Sequence, residues 1–203
     1  MKLMYSPASP FVRKVRVLID EIGWTDRIEM VQASSTPLGT EDADLIAANP
    51  TGKIPALVRA DGPAIYDSRV ICRYLDSVAG GGLYPEGRIW ETLTLEATGD
   101  ALMDAAVLIT YDRRFRPADD GQAAWIRGQR LKIDRALDAL EARWMSHLFG
   151  PLDMGQITVG CALGYLDFRH GDLDWRKGRP ALAAWEEKLR ARPSMAATAP
   201  ADL

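Results

Sequence analysis

The chain is poor in the side chains that make metal and thiol sites. Of its 203 residues, two are cysteine, Cys72 and Cys161, and two are histidine, His147 and His170. The cysteines form no CxxC and neither has a histidine pair nearby, so neither a disulfide scaffold nor a zinc site is signalled, and sulfur or metal chemistry supplied by the protein itself is disfavoured. Both read as small buried hydrophobes, and the histidines as residues of helix ends. Long apolar runs are missing too. No stretch of about 18 apolar residues is available for a membrane span, and Pro7 interrupts the N-terminus before a signal-peptide core could form. The expectation is a soluble, cytoplasmic protein with no membrane partner. Blocks of like charge are also absent: 25 Lys and Arg stand against 28 Asp and Glu, a net charge of -3. Such scattering disfavours a dedicated nucleic-acid binder. What remains is an ordinary globular composition, 47% hydrophobic and 26% charged, enough for a real core.

Two patterns divide the chain. Over the first eighty residues strand-like and helix-like segments alternate. Lys2 to Tyr5 is extended, and Val12, Val15, Ile19 and Ile22 then recur at helical spacing until Gly23. Ile28 to Val31 reads as a second strand, and Glu41 to Ala48 as a short helix ended by Asn49-Pro50. Ala56-Leu57-Val58 and Ala64-Ile65-Tyr66 flank Asp61-Gly62 as a hairpin, and a helix follows from Asp67-Ser68. The order βαβαββα is a mixed-sheet α/β unit, expected over residues 1–79. Gly80-Gly81-Gly82 with Pro85 reads as a linker, 80–85, and residues 86–203 as an all-α bundle. In the bundle the stripe Ile126, Ile133, Leu137, Leu140, Trp144 and Leu148 implies one long helix. The charges Arg135, Asp138, Glu141 and Arg143 read as its solvated face.

Three places can carry chemistry. Ser9 precedes Pro10 and falls at a helix N-cap, where its hydroxyl meets free N–H groups and the positive end of the dipole. Asn49-Pro50-Thr51-Gly52-Lys53-Ile54-Pro55 enters a strand. Its Thr-Gly-Lys is no phosphate loop, because the earlier glycine and the following helix are both missing. Asp67-Ser68 opens a helix, where Ser68 can bind an anion and Asp67 can accept from an ammonium. Each feature taken alone also reads as ordinary capping.

In that order and spacing, Ser9-Pro10-Phe11-Val12-Arg13-Lys14, Asn-Pro-x-Gly-Lys-Ile-Pro-Ala-Leu ending at Leu57, and Asp67-Ser68 resemble the cytosolic glutathione transferases. With Tyr165-Leu166-Asp167-Phe168-Arg169 they resemble most a bacterial group of small members of that family. The resemblance covers essentially the whole chain. It implies a thioredoxin-like first domain, an all-helical second domain, and glutathione as co-substrate without a metal. It implies a cis Pro55, with the Ile54 main chain pairing the cysteinyl backbone of glutathione. Asp67 and Ser68 would hold the γ-glutamyl ammonium and carboxylate, and Lys53 the glycyl carboxylate. Ser9 would be the catalytic hydroxyl, with Ser6 and Tyr5 as alternatives. A homodimer and a small electrophile are the implied partners, detoxification the implied role, and Met103, Val107, Thr110, Tyr111 and Phe115 a wall for the electrophile. Arg69 would reach an acid of the second subunit. One departure concerns the helix after Pro151 to Gln156, which the resemblance begins with a cap at Thr158; Cys161 stands where the family has Asp.

A serine cannot form a mixed disulfide, so thiol-transferase chemistry is closed at Ser9. Activating a bound thiol remains open. Moving a thiol from about 8.5 down two units takes roughly 2.7 kcal/mol, within reach of one charge-assisted hydrogen bond, at about 1.5–3 kcal/mol, plus a helix terminus. Two other readings stay open: a non-catalytic glutathione-binding or scaffold protein of the same fold, and a glutathione-dependent peroxidase or reductase.

Overall fold

A computed structural model describes residues 1–202. They form two compact units, one of Met1–Ile89 together with the residues from Pro193 onward, the other of Trp90–Arg192.

The first unit is built on three strands, β1 (Lys2–Tyr5), β2 (Glu29–Gln32) and β3 (Ala56–Val58), in the order β2-β1-β3. β2 runs parallel to β1, with Leu3 opposite Met30, and β3 antiparallel, with Leu3 opposite Leu57. The sheet is therefore mixed. Alternation sends Met4 and Ala56 to one face, where they pack with Ala33, Leu45 and Ala48. Leu45 and Ala48 lie on α2 (Ala43–Ala48), which Asp42 caps through the Leu45 N–H at 2.9 Å. Leu3 and Leu57 turn to the opposite face and are fully buried. Two helices pack side by side in this unit, α1 (Pro10–Glu21) and α3 (Ser68–Ala79). The expected fourth strand is reduced to one reciprocal pair of hydrogen bonds between Leu57 and Ile65, each 2.9 Å. Pro63 has no N–H to extend the ladder and α3 opens at Ser68, so only residues 64–66 were available.

Gly80 ends α3 in the left-handed conformation, φ 66°. The chain beyond it is tied down: the Asp76 carboxylate accepts from the N–H of Leu83 at 2.9 Å and of Tyr84 at 3.2 Å. The C-terminal helix α9 (Pro193–Ala197) returns to α1, where the Met195 carbonyl accepts from Arg13 Nη2 at 3.1 Å and Ser194 donates to Glu21.

The second unit is helical: α4 (Ile89–Phe115), α5 (Asp120–Ala139), α6 (Met145–Leu148), α7 (Met154–Arg169) and α8 (Pro180–Arg190). The single helix expected across Ile126 to Leu148 is interrupted, because Leu140–Trp144 opens into a π turn between α5 and α6. Glu141 lies on that turn, and its two carboxylate oxygens accept from the N–H groups of Ala181 and Leu182 at 3.1 and 2.7 Å. It therefore caps α8, whose own preceding residue, Arg179, supplies no side-chain cap. Asp138 pairs with Arg179 at 2.7 Å. These two acids bind a second helix, where a solvated face had been expected.

Thr158 also differs from expectation. The cap of α7 is Asp153, which accepts from the Gln156 N–H at 3.1 Å, and Thr158 lies buried inside the helix, donating to the Met154 carbonyl at 2.7 Å. Asp153 is fully buried; its second oxygen accepts from Thr92 at 2.9 Å and meets His147 Nε2 at 2.7 Å. Cys72 and Cys161 are buried, as expected, and form no disulfide. Among the described residues no helix is long and apolar enough to cross a membrane, and no three or more His, Cys, Asp or Glu gather as they would around a metal ion.

Candidate functional site

Strand register brings the three sequence features to one end of the sheet. The last paired residues of β1 and β3 are Met4 and Ala56. One step further lie Tyr5 and Pro55, and the chain after Tyr5 turns directly into α1. Ile65 pairs with Leu57 in the antiparallel sense, so Asp67, two residues on, comes level with Pro55. The start of α1, the entry to β3 and the start of α3 thus share an end of the sheet.

Ser9 caps α1. It is half-buried, extended at φ -82° and ψ 121°, and its hydroxyl oxygen accepts from the Val12 N–H at 3.3 Å, a long bond. Pro10 follows at the first helical position, where its missing N–H costs nothing. Ser6 accepts at its carbonyl from the Ser9 N–H at 3.1 Å, closing the turn. The Tyr5 ring lies against Arg16 of α1, 5.8 Å from guanidinium carbon to ring centre.

The second segment is organised by Asn49, which the sequence marked only as the end of a helix and the start of this segment. Asn49 is buried; its amide donates to the Lys53 carbonyl at 2.8 Å, and its oxygen accepts from both the N–H and the hydroxyl of Thr51. Gly52, at φ +64°, takes the left-handed conformation that the tight loop requires, and Ser35 donates to its carbonyl at 2.6 Å. The loop presents Lys53 to solvent and delivers Ile54 and a cis Pro55 to the head of β3. An Asn followed by Pro-Thr-Gly is a turn-forming signal and could have marked the residue.

At the third place Asp67 caps α3. One oxygen accepts from the Arg69 N–H at 3.0 Å and the other from the Arg69 guanidinium at 3.1 Å. Partial burial pushes the carboxyl up, but the Arg69 hydrogen bonds and charge, helped by Lys14, prevail and hold it below the ordinary carboxylate value. Arg69 thus engages an acid of its own chain. Ser68 is only 3% exposed and opens α3. A hydroxyl on a nearly buried residue, at a helix start that also offers free N–H groups, is a donor set suited to an anion.

Behind the caps lie two consecutive buried cations of α1. Lys14 is fully buried, and Arg13 is buried with Nε and Nη1 unpartnered. Positive charge in the first turns of a helix opposes its dipole; this was the sequence signal that could have singled them out. In the helical unit Met103 is fully buried, while Thr110 donates to the Ala106 carbonyl at 3.0 Å and accepts from Tyr165 at 3.3 Å. His147 and His170 do lie at helix ends.

A mixed sheet of this order, with a cis-proline strand entry flanked by capped helix starts and followed by helices, is a thioredoxin-like domain joined to a helical domain. Residues 8–78 match the glutathione S-transferase N-terminal domain, and residues 123–188 match the C-terminal domain. The chain belongs to the glutathione S-transferase family. It is similar to the uncharacterised GST-like protein YibF of Escherichia coli, with 34% identity over 98% of both chains. A glutathione transferase family member from Pseudomonas fluorescens Pf-5, whose crystal structure holds bound glutathione, is 46% identical over 98% of both chains with a TM-score of 0.94. A second Pseudomonas fluorescens Pf-5 structure, with bound S-(propanoic acid)-glutathione, is 45% identical over 99% of this chain and all of the other, TM-score 0.90.

Proposed function

We propose that the protein binds glutathione at this end of the sheet and activates its thiol for attack on a small electrophile, as a cytoplasmic, homodimeric glutathione S-transferase of the kind that serves detoxification. The observation that carries this reading is Ser68, only 3% exposed at the start of α3 beside the Asp67 cap. It is suited to a carboxylate, and the γ-glutamyl group supplies one. Asp67 is held ionised and accepts from the neighbouring ammonium. The Ile54 main chain, at the entry to β3, pairs the cysteinyl backbone like an added strand, with Pro55 fixing the turn. Lys53, exposed beside them, meets the glycyl carboxylate.

Ser9 then faces the sulfur. Its hydroxyl oxygen accepts from Val12 only at 3.3 Å, leaving its proton to donate to a thiolate. That bond stabilises the ionised thiol alone, which is what lowers its pKa. Serine also favours conjugation over the peroxidase or reductase reading in any form that needs a protein–glutathione mixed disulfide. A relative carrying glutathione with an acid chain on sulfur supports the same direction, since that ligand is a sulfur-substituted conjugate.

The test is the thiolate absorbance of the glutathione complex titrated in Ser9→Ala. The expected midpoint lies about one to two units above the parent, equivalent to roughly 1.4–2.7 kcal/mol. A midpoint unmoved in Ser9→Ala but moved by Ser6→Ala or Tyr5→Phe transfers the role to that neighbour. If none moves it, the hydroxyl mechanism fails.

A further inference from the structure

The charges of α1 run against its dipole. A helix favours acids in its first turn and cations in its last, whereas α1 has no acid in its first turn and no cation in its last. Its cations, Arg13, Lys14 and Arg16, follow the start, and its acids, Asp20 and Glu21, come at the far end. Cations and dipole therefore add at the N-terminus, where Ser9 stands. The acids are held at the opposite end, Asp20 accepting from Thr25 at 3.4 Å and Glu21 from Ser194 of α9.

Of these cations Arg13 is the one left unbalanced. Lys14 bears on the other cap, where its charge helps keep Asp67 ionised beside Arg69, and Arg16 lies against the Tyr5 ring. Arg13 is 4% exposed. Its Nη2 donates to a neutral acceptor, the Met195 carbonyl of α9, at 3.1 Å, and its Nε and Nη1 have no partner among the described residues. A guanidinium buried against one neutral acceptor is unfavourable until an anion comes near. Ser9 and Arg13 lie four residues apart on one face of α1, joined by the Arg13 N–H donating to the Ser9 carbonyl at 3.0 Å. Helical side chains lean toward the N-terminus, which carries the Arg13 charge toward the Ser9 turn.

We propose that Arg13 is a positioning residue of the site: buried one turn behind Ser9 and fixed by α9, its charge makes that helix start a seat for a thiolate. The inference rests on the glutathione reading for the identity of the thiol, and on α1 and α9 for the effect. Two reporters test it, both titrated by thiolate absorbance. One is the thiol of bound glutathione; the other is the thiol that Ser9→Cys places at the cap, read without ligand. A unit charge about 10 Å away at an effective dielectric of about 20 moves a pKa by roughly one unit. Arg13→Met is expected to raise both midpoints by about that amount, and Arg13→Lys, which keeps the charge, to hold them within about 0.3 unit of the parent. Because a buried charge without a counter-ion is removed, the urea midpoint of Arg13→Met is expected at or above the parent's; should that variant fail to fold, Arg13→Gln takes its place. A Ser9→Cys midpoint that the neutral variant leaves unmoved overturns the proposal. So does a rise that Arg13→Lys shares, since packing alone would then be responsible. If the parent binds no glutathione, the glutathione reading falls, while a Ser9→Cys midpoint raised by Arg13→Met and restored by Arg13→Lys upholds the role of Arg13.

Discussion

Helices in both units begin on side-chain caps, and the caps are of two kinds. In the helical unit Asp153 is buried completely and saturated, holding the Gln156 N–H, the Thr92 hydroxyl and His147 at 3.1, 2.9 and 2.7 Å. In the sheet unit the half-buried Ser9 accepts from Val12 at 3.3 Å, and the exposed Asp67 accepts from the N–H and guanidinium of Arg69 at 3.0 and 3.1 Å. The same motif therefore performs two jobs. A cap whose lone pairs and protons are all taken inside the protein contributes stability and nothing else; a cap with capacity to spare is available to a ligand. Ser68, next to the Asp67 cap, adds a hydroxyl at the same helix start.

The largest expected effect tests the saturated kind. Asp153→Ala removes a buried carboxylate and leaves the Thr92 hydroxyl and His147 short of their partner. The expected loss is about 3–5 kcal/mol of folding stability, the range for breaking one side of a buried charged network. Equilibrium urea unfolding measures it. A loss below about 1 kcal/mol, the worth of an ordinary exposed cap, breaks the distinction between the two kinds of cap.

Next comes the open kind. Ser68→Ala deletes a single hydroxyl at the start of α3, and its unfolding midpoint is expected to stay within the equivalent of about 0.5 kcal/mol of the parent. Glutathione affinity is expected to fall by roughly 1–3 kcal/mol, because the bound carboxylate loses a donor. Calorimetric titration with glutathione, run beside the unfolding curve, reads both. Destabilisation without loss of affinity reverses the assignment.

A smaller effect sharpens the comparison through pH. Burial pulls the His170 imidazole below its ordinary value, partly offset by its bond to Ala106. Below about pH 6.5 the unfolded chain takes up a proton there that the folded chain refuses. The stability this group contributes is therefore complete above that pH and is lost as pH falls toward the lowered folded value, with a slope of at most about 1.4 kcal/mol per pH unit. Urea unfolding between pH 7 and about pH 5 is expected to show a shallower decline in His170→Gln than in the parent. Equal declines would mean that the acid sensitivity of the helical unit comes from elsewhere.

How much of this was legible beforehand follows from the range of each interaction. Ser9 with Pro10, and Asp67 with Ser68, act within three residues, so the caps could be placed from sequence. Leu3, Met4 and the Val12, Val15, Ile19 stripe revealed the sheet and α1 for the same reason. Thr158 was misplaced as a cap because the resemblance set the register there, while the residue in capping position was Asp153. Glu141 could not be read at all: it caps α8 across forty residues, and a charge on a helix surface carries no mark of a distant partner. The break of the long helix at Leu140–Trp144 was hidden too, since a π turn keeps nearly the same apolar stripe. At the site, the loop around Asn49 and the burial of Arg13 and Lys14 came only with the structure, because a side chain's burial depends on what packs over it.

The smallest expected effect is the most discriminating. Asp119 and Ser9 are both single caps on exposed or half-buried helix starts, Asp119 accepting from Gln122 at 2.7 Å and Ser9 from Val12 at 3.3 Å. A charged acceptor at short range supports its helix more than a hydroxyl at long range, since the negative charge also meets the dipole. Asp119→Ala is therefore expected to cost about 1 kcal/mol or slightly more, and Ser9→Ala about half that. Paired unfolding curves of the two variants measure the difference. Should Ser9→Ala cost as much as Asp119→Ala, its hydroxyl is committed to α1, and a bond to sulfur would have to be made at the expense of the helix. The expected order leaves the Ser9 proton free to act on a ligand at little cost to the fold.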